Sequence, residues 1–208
     1  MNYLEPSEYQ AYGLEATTEA AWVTAASAIV DAHCRRATVG VTQYTERLLV
    51  TSGRNTVRVT YLPLAAVAPA TSAIVAVRAR YAMPRRGEWM YEDAAWEASA
   101  AFRIPGSWTD LDPTDVETSP ETGDTTLPAN ALGWGFSEVE ITYTAGLDPI
   151  LAPVKVACAQ LVKNAQAMPA LNVRRGMLDR MRLEYFSETL LDDKVRALLA
   201  PYVAQKVG

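Results

Sequence analysis

The residues that could carry chemistry are few, and their spacing argues against most of it. The chain holds one histidine and two cysteines among 208 residues. His33 falls at the C-terminal end of a helical pattern and reads as a packed helix-end side chain rather than a general base. Its neighbour Cys34 points about 100° away around a helix, so the two form no nucleophile–base dyad. Cys34 and Cys158 each sit inside a helical pattern and read as buried free thiols. No Cys/His grouping has zinc spacing. The carboxylates between Asp110 and Asp124 are dense but lack the spacing of a calcium loop. Gly133-Trp134-Gly135 lacks the strand–loop–helix setting of a nucleotide loop. The expectation is a protein without catalytic residues, metal or cofactor. A hydrolase pairing His33 with Asp31 or a distant carboxylate is the enzymatic alternative, and it needs a cleft around His33.

Charge is distributed unevenly along the chain. Between Arg103 and Lys155 there is no Lys, Arg or His, while nine carboxylates occur: Asp110, Asp112, Asp115, Glu117, Glu121, Asp124, Glu138, Glu140 and Asp148. Residues 1–103 balance, and residues 155–208 are mildly basic. The net charge of −5 therefore resides in the middle block, a pattern that bears on partners more than on fold. Four of the five tryptophans, Trp89, Trp96, Trp108 and Trp134, fall in or near the same region. They suit either a β-rich core or a partner surface. No run approaches the ~18 apolar residues of a membrane span. The first residues have neither a basic n-region nor an apolar h-region, so no signal peptide is expected.

The elements that must position these residues follow from periodicity. Ser7 and Gln10 have capping-box spacing for a short helix ending at Gly13. Trp22, Ala25, Ala26, Ile29 and Val30 recur at helical spacing, predicting a helix over 18–36 with Arg35 and Arg36 in its last turn. The period then drops to two. Val57, Val59 and Tyr61 form one inward series, Val75, Val77 and Tyr81 a second, and Val139, Ile141 and Tyr143 a third, which predicts antiparallel strands with one buried face. Ser52-Gly53-Arg54-Asn55 predicts a hairpin joining a strand at 44–50 to one at 56–61. Residues 109–133, acidic and rich in Thr and Pro, predict a long acidic loop that is mobile unless a partner holds it. After Pro153 a stripe of Val154, Ala157, Cys158, Leu161, Val162 and Ala165 predicts a helix. Further helices are expected at 175–190 and from Asp192. The fold class is thus α+β: an N-terminal helical segment, 1–40, and C-terminal helices and tail, 151–208, form one helical bundle, and a β-rich section, 41–150, is inserted between them.

This order of elements resembles the head–tail connector (adaptor, or head-completion) proteins of tailed bacteriophages and gene-transfer particles. The segments that carry the resemblance are Val139-Glu-Ile-Thr-Tyr-Thr-Ala-Gly-Leu running into the Pro153 helix, and the terminal Leu198-Leu199-Ala200-Pro201-Tyr202. It spans about residues 15–80 and 136–203. The resemblance implies a structural virion protein, assembled in the host cytoplasm, with identical subunits in a ring, commonly of about twelve. The ring would join the portal protein above to a neck or tail protein below and extend the channel for double-stranded DNA, without sequence-specific binding. Arg196, Leu198, Leu199, Tyr202, Val203 and Lys206 would then form a tail that inserts into the portal. Trp89, Trp96, Trp108, Asp110, Asp112, Asp115 and Trp134 are the candidate contacts to neighbouring subunits or to the tail side. A chain without a basic run longer than two residues suits DNA passage better than DNA grip. The alternatives are a monomeric module whose Trp-rich β-section binds a ligand such as a sugar, and another virion neck protein, a head-closure or tail-terminator protein.

Overall fold

The computed structural model describes residues 2–51, 54–81, 107–128, 136–167, 175–178, 181–184 and 190–204. It is a mixed α+β fold, with helices and antiparallel sheets. The chain divides into two compact units: Met1–Gly40 with Leu147–Ala204, and Val41–Gly146.

The first unit is built on α1 (Ala20–His33) and α2 (Ala152–Ala167). Alanine-rich sequence favours helix and lets the two approach closely. The buried face of α1 is Val23, Ala26, Ser27 and Val30. That is one position round from the expected stripe, and Trp22 remains 39% exposed. The shift puts a small hydroxyl into the core. Ser27 Oγ is satisfied there: it donates to Val23 O (2.8 Å), accepts from Tyr3 N (3.2 Å), and lies 3.7 Å from Cys158 Sγ. On α2, Val154, Ala157, Cys158, Leu161 and Val162 are buried, as the spacing predicts.

The short N-terminal helix and the C-terminal end of α1 differ from the sequence expectation in detail. The N-terminal turn is a 3-10 helix, Pro6–Glu8, whose capping box is formed by Glu5 and Glu8 rather than Ser7 and Gln10. Arg35 and Arg36 lie beyond the helix. Arg35 takes a left-handed conformation (φ 55°) and Arg36 N donates to Asp31 O (3.1 Å), the bond that closes a Schellman end.

As far as Ala204, the tail belongs to this unit's own core. Asp192 caps α3 (Asp193–Leu199) by accepting from Val195 N at 2.7 Å. Asn164 of α2 donates to Leu190 O at 3.1 Å and so ties the approach to α3 down. Val195 and Leu199 are fully buried, Leu198 and Tyr202 pack against them, and Ala204 N donates to Cys34 O (2.9 Å). A tail that inserts into a partner needs these side chains free. Leu199 is not, so the insertion expectation does not hold for Leu199, whereas Arg196 is exposed and Leu198, Tyr202 and Val203 are half-buried. The helix expected over 175–190 is also corrected. Here β8 (Arg175–Leu178) pairs antiparallel with β9 (Met181–Glu184). Arg175 with Asp179 and Arg180 with Glu184 have the i, i+4 spacing of helical ion pairs, but such pairs are worth only roughly 0.2–0.5 kcal/mol each and are easily overridden.

Among the described residues the second unit is two sheets with one core between them. The first sheet has the order β1-β7-β3-β4, with β1 Thr42–Leu49, β3 Ile74–Arg80, β4 Thr109–Leu111 and β7 Glu138–Ala145. The second has the order β2-β6-β5, with β2 Thr56–Arg58, β5 Glu117–Thr118 and β6 Asp124–Thr126. Strict alternation makes Val139, Ile141, Tyr143 and Ala145 the buried face of β7. A bulge between Ile74 and Ala76 changes the phase of β3, so Ile74, Val77 and Ala79 face inward and Val75 is 48% exposed. Tyr61 stacks on Tyr44 with centroids 3.9 Å apart.

Two further expectations fail here. β1 and β2 do not form a hairpin. Val50 N donates to Ser137 O (2.9 Å) while Asn55 O accepts from Leu127 N (2.8 Å), so the chain crosses from one sheet to the other. Residues 109–128 of the acidic segment are not a long loop but strands β4 to β6. Val116, Thr125 and Leu127 are buried and anchor them. The turn between β5 and β6 closes through Ser119 N to Asp124 O (2.9 Å) and Gly123 N to Ser119 O (2.8 Å). Gly123 sits at φ 73°, and a Cβ there would lie 2.8 Å from Leu62 Cδ2. Few apolar residues suffice when each fills a site between sheets.

Because Leu199 is wholly enclosed, Leu199→Ala should cost about 2–5 kcal/mol of unfolding free energy. Urea denaturation followed by circular dichroism measures this. A cost within experimental error of zero would return the tail to the surface.

Candidate functional site

The outward face of the β1-β7-β3-β4 sheet concentrates the side chains best suited to recognition. Alternation leaves Glu138 and Glu140 of β7, Arg47 of β1 and Arg78 and Arg80 of β3 on the face opposite the core. Register sets them side by side: Arg47 faces Glu140, Arg78 faces both Glu140 and Asp110, and Arg80 faces Glu138. Glu138 engages two guanidinium groups with separate oxygens. Arg47 Nε donates to Oε1, and Arg80 reaches Oε2 at 2.6 Å. Arg78 binds Glu140 Oε1 at 2.7–2.8 Å.

Trp108 covers this network. It directly precedes β4, and its ring lies 5.1 Å from Arg47 Cζ, 5.1 Å from Arg78 Cζ and 4.9 Å from Arg80 Cζ. Guanidinium groups prefer such faces because they are planar and weakly hydrated. Only 12% of the Glu138 side chain remains exposed. The hydrogen bond from Arg47 holds its carboxyl below the usual Glu range, partial burial opposes this, and Arg80 adds to the lowering. Among the described residues, three arginines and three carboxylates, counting Asp110, make the patch formally neutral. A neutral indole–guanidinium surface fits contact with protein and lacks the excess positive charge that holds a polyanion.

The other sequence candidates are dispersed. Asp110 lies in β4, Asp115 in the following 3-10 turn, and Asp112 caps that turn by accepting from Thr114 N (2.9 Å) and Thr114 Oγ1 (2.7 Å). These bonds hold Asp112 below the ordinary Asp range. Arg196 is exposed on α3 and pairs with Asp193 at 3.7 Å. Val203 is half-buried. Trp89, Trp96, Trp134 and Lys206 lie outside the described residues. His33 is the last residue of α1 and half-buried, and Cys34 and Cys158 are buried free thiols. Among the described residues no group of His, Cys, Asp and Glu could hold a metal, and no helix is long and apolar enough to cross a membrane.

Sequence reasoning missed the arginines and Glu138 with Glu140. The signal was present as the outward half of each alternating strand, Arg78-Ala79-Arg80 and Glu138-Val139-Glu140. What it lacked was the pairing of strands.

Glu138 is ionised in the fold at pH values where it is partly protonated in the unfolded chain. Its contribution is complete above the unfolded value of about 4.3 and disappears as pH falls through the lower folded value. Melting temperature should therefore drop more steeply below about pH 4.5 in the wild type than in Glu138→Gln. Scanning calorimetry across pH 3–6 measures the difference, and parallel profiles would show that the ion pairs add nothing to stability.

The sequence matches no protein-family model, and no curated protein matches it either.

Proposed function

We propose that this chain is a subunit of an adaptor ring in a tailed-phage or gene-transfer particle, a structural virion protein and not an enzyme. The observation that carries the reading is the division of the chain. Residues from both ends share one helical unit, and an antiparallel β-unit is inserted between Gly40 and Leu147. In this reading α1, α2 and α3 form the helical bundle of the family that the sequence resembles. The strand Glu138–Ala145 leading into α2 is the segment with the strongest resemblance.

Surface chemistry supports the same role. A ring subunit needs two different complementary surfaces, and the Trp108 face offers one with aromatic and guanidinium groups of the kind that dominate interfaces. Self-neutralised arginines also suit a conduit, because each unpaired phosphate contact would strengthen binding and impede passage. Portal contact falls to the exposed residues of α3, such as Arg196, rather than to inserted apolar side chains.

The test is attachment. Purified protein is added to DNA-filled, tail-less heads that lack it, and the vertex is imaged by electron microscopy. The expected result is a ring of about twelve subunits beneath the portal, with His33→Ala attaching as well as the wild type. Failure to attach, or a selective loss in a folded His33→Ala protein, would overturn the proposal.

A further inference from the structure

The two lateral edges of the larger sheet are unequal. β4 has three residues and is followed at once by a proline-led 3-10 turn, Pro113–Asp115. β1 has eight, Thr42 to Leu49, with no proline or glycine and an unbroken register against β7. The Val50 N to Ser137 O bond lies in that register. Antiparallel bonding alternates, so the N–H and C=O groups of Gln43, Thr45, Arg47 and Leu49 point away from β7. All four residues are exposed, and none makes a backbone hydrogen bond on that side among the described residues. Leu49 is 82% exposed. Glu46, an inward charge of the kind that can guard an edge, is instead held by Thr60 N at 3.0 Å. Long, regular, unguarded edges are templates for another strand.

Among the described residues the chain also carries a strand pair bonded to no third strand. β8 and β9, four residues each, pair only with one another among the described residues. Two strands alone are marginal in water and gain stability by joining a third. Acceptor and donor belong to different units of the chain.

We propose that the β8–β9 hairpin of one copy adds to the open edge of β1 in the next copy, extending the four-stranded sheet across the subunit boundary. Main-chain bonds give the contact its strength and Leu49 gives it an apolar anchor. Donor and acceptor are different surfaces of the same chain, so the contact is head-to-tail and generates rings where its rotation closes. This inference rests on the ring reading and names the contact that builds the ring.

Two measurements on the full chain test it. Thr45→Pro removes one outward N–H and leaves the β1–β7 bonds, an edge position that tolerates proline. Its ring yield, by mass photometry alone and by imaging on tail-less heads, should fall about tenfold or more, with an unchanged circular dichroism spectrum. Separately, Thr45→Cys chains are mixed with Arg182→Cys chains and treated with a short bis-maleimide. The native thiols Cys34 and Cys158 are buried and stay silent. A covalent product joining one chain of each kind is expected, and it decides the matter even if Thr45→Pro misfolds. Rings that persist in folded Thr45→Pro without that cross-link would overturn the β1 contact and leave the ring reading standing. A cross-link formed within single chains of the Thr45→Cys/Arg182→Cys double variant would also overturn it. A wild type that never forms rings would overturn both.

Discussion

The β-unit depends on one strand having neighbours on both sides. β7 is hydrogen-bonded to β1 along one edge and to β3 along the other. Its alternation then does two things at once. The inward residues Val139, Ile141, Tyr143 and Ala145 supply the middle of the core. The outward residues Glu138 and Glu140 meet arginines from both flanking strands. A one-residue slip would exchange the two faces, placing carboxylates in the core and valine in water. The aromatic cover follows from the same register, since Trp108 reaches the arginines only because β4 is aligned on β3.

That arrangement changes the meaning of the charge pattern. Along the chain, the acidic block is separated from the balanced segment before it, which suggests a surface held in reserve for a basic partner. In space, Arg47, Arg78 and Arg80 come from that earlier segment and neutralise two of the block's carboxylates. Part of the acidity is therefore an internal matter of the sheet. The pairs remain partly exposed, so each contributes little on its own. Their joint effect with Trp108 is a rigid outer face, since ordered side chains present a surface at lower entropic cost on contact.

The helical unit obeys a different constraint. Its core joins Tyr3 and Leu4, α1, α2 and α3, which are distant in sequence. Tyr3 illustrates the closure: its hydroxyl donates to Asp31, accepts from Val39 N at 2.8 Å and lies 3.0 Å from Thr38 Oγ1. The first residues thereby fasten the end of α1 to the segment that leaves it. The last described residue, Ala204, returns to the same helix end through Cys34 O. A terminal segment fixed this way is an integral part of the unit, whatever its amphipathic pattern suggests in isolation.

Local periodicity was enough to determine the α+β class, the two main helices and the inward face of β7, because each repeats over many residues and a long repeat outweighs local noise. It was not enough for α1's rotation. Trp22 and Val23 compete for one face, and the close approach of α2, together with a hydrogen-bonding role for Ser27, favours the smaller set. Nor could it set the phase of β3, where a single bulged residue reverses inside and outside. The acidic segment and the tail look solvent-bound by composition, yet a few apolar residues in each are enclosed by elements far away in the chain. For the β-unit, strand pairing is the deciding factor. It is decided between segments tens of residues apart, and it alone brings Trp108, three arginines and Glu138 to one face.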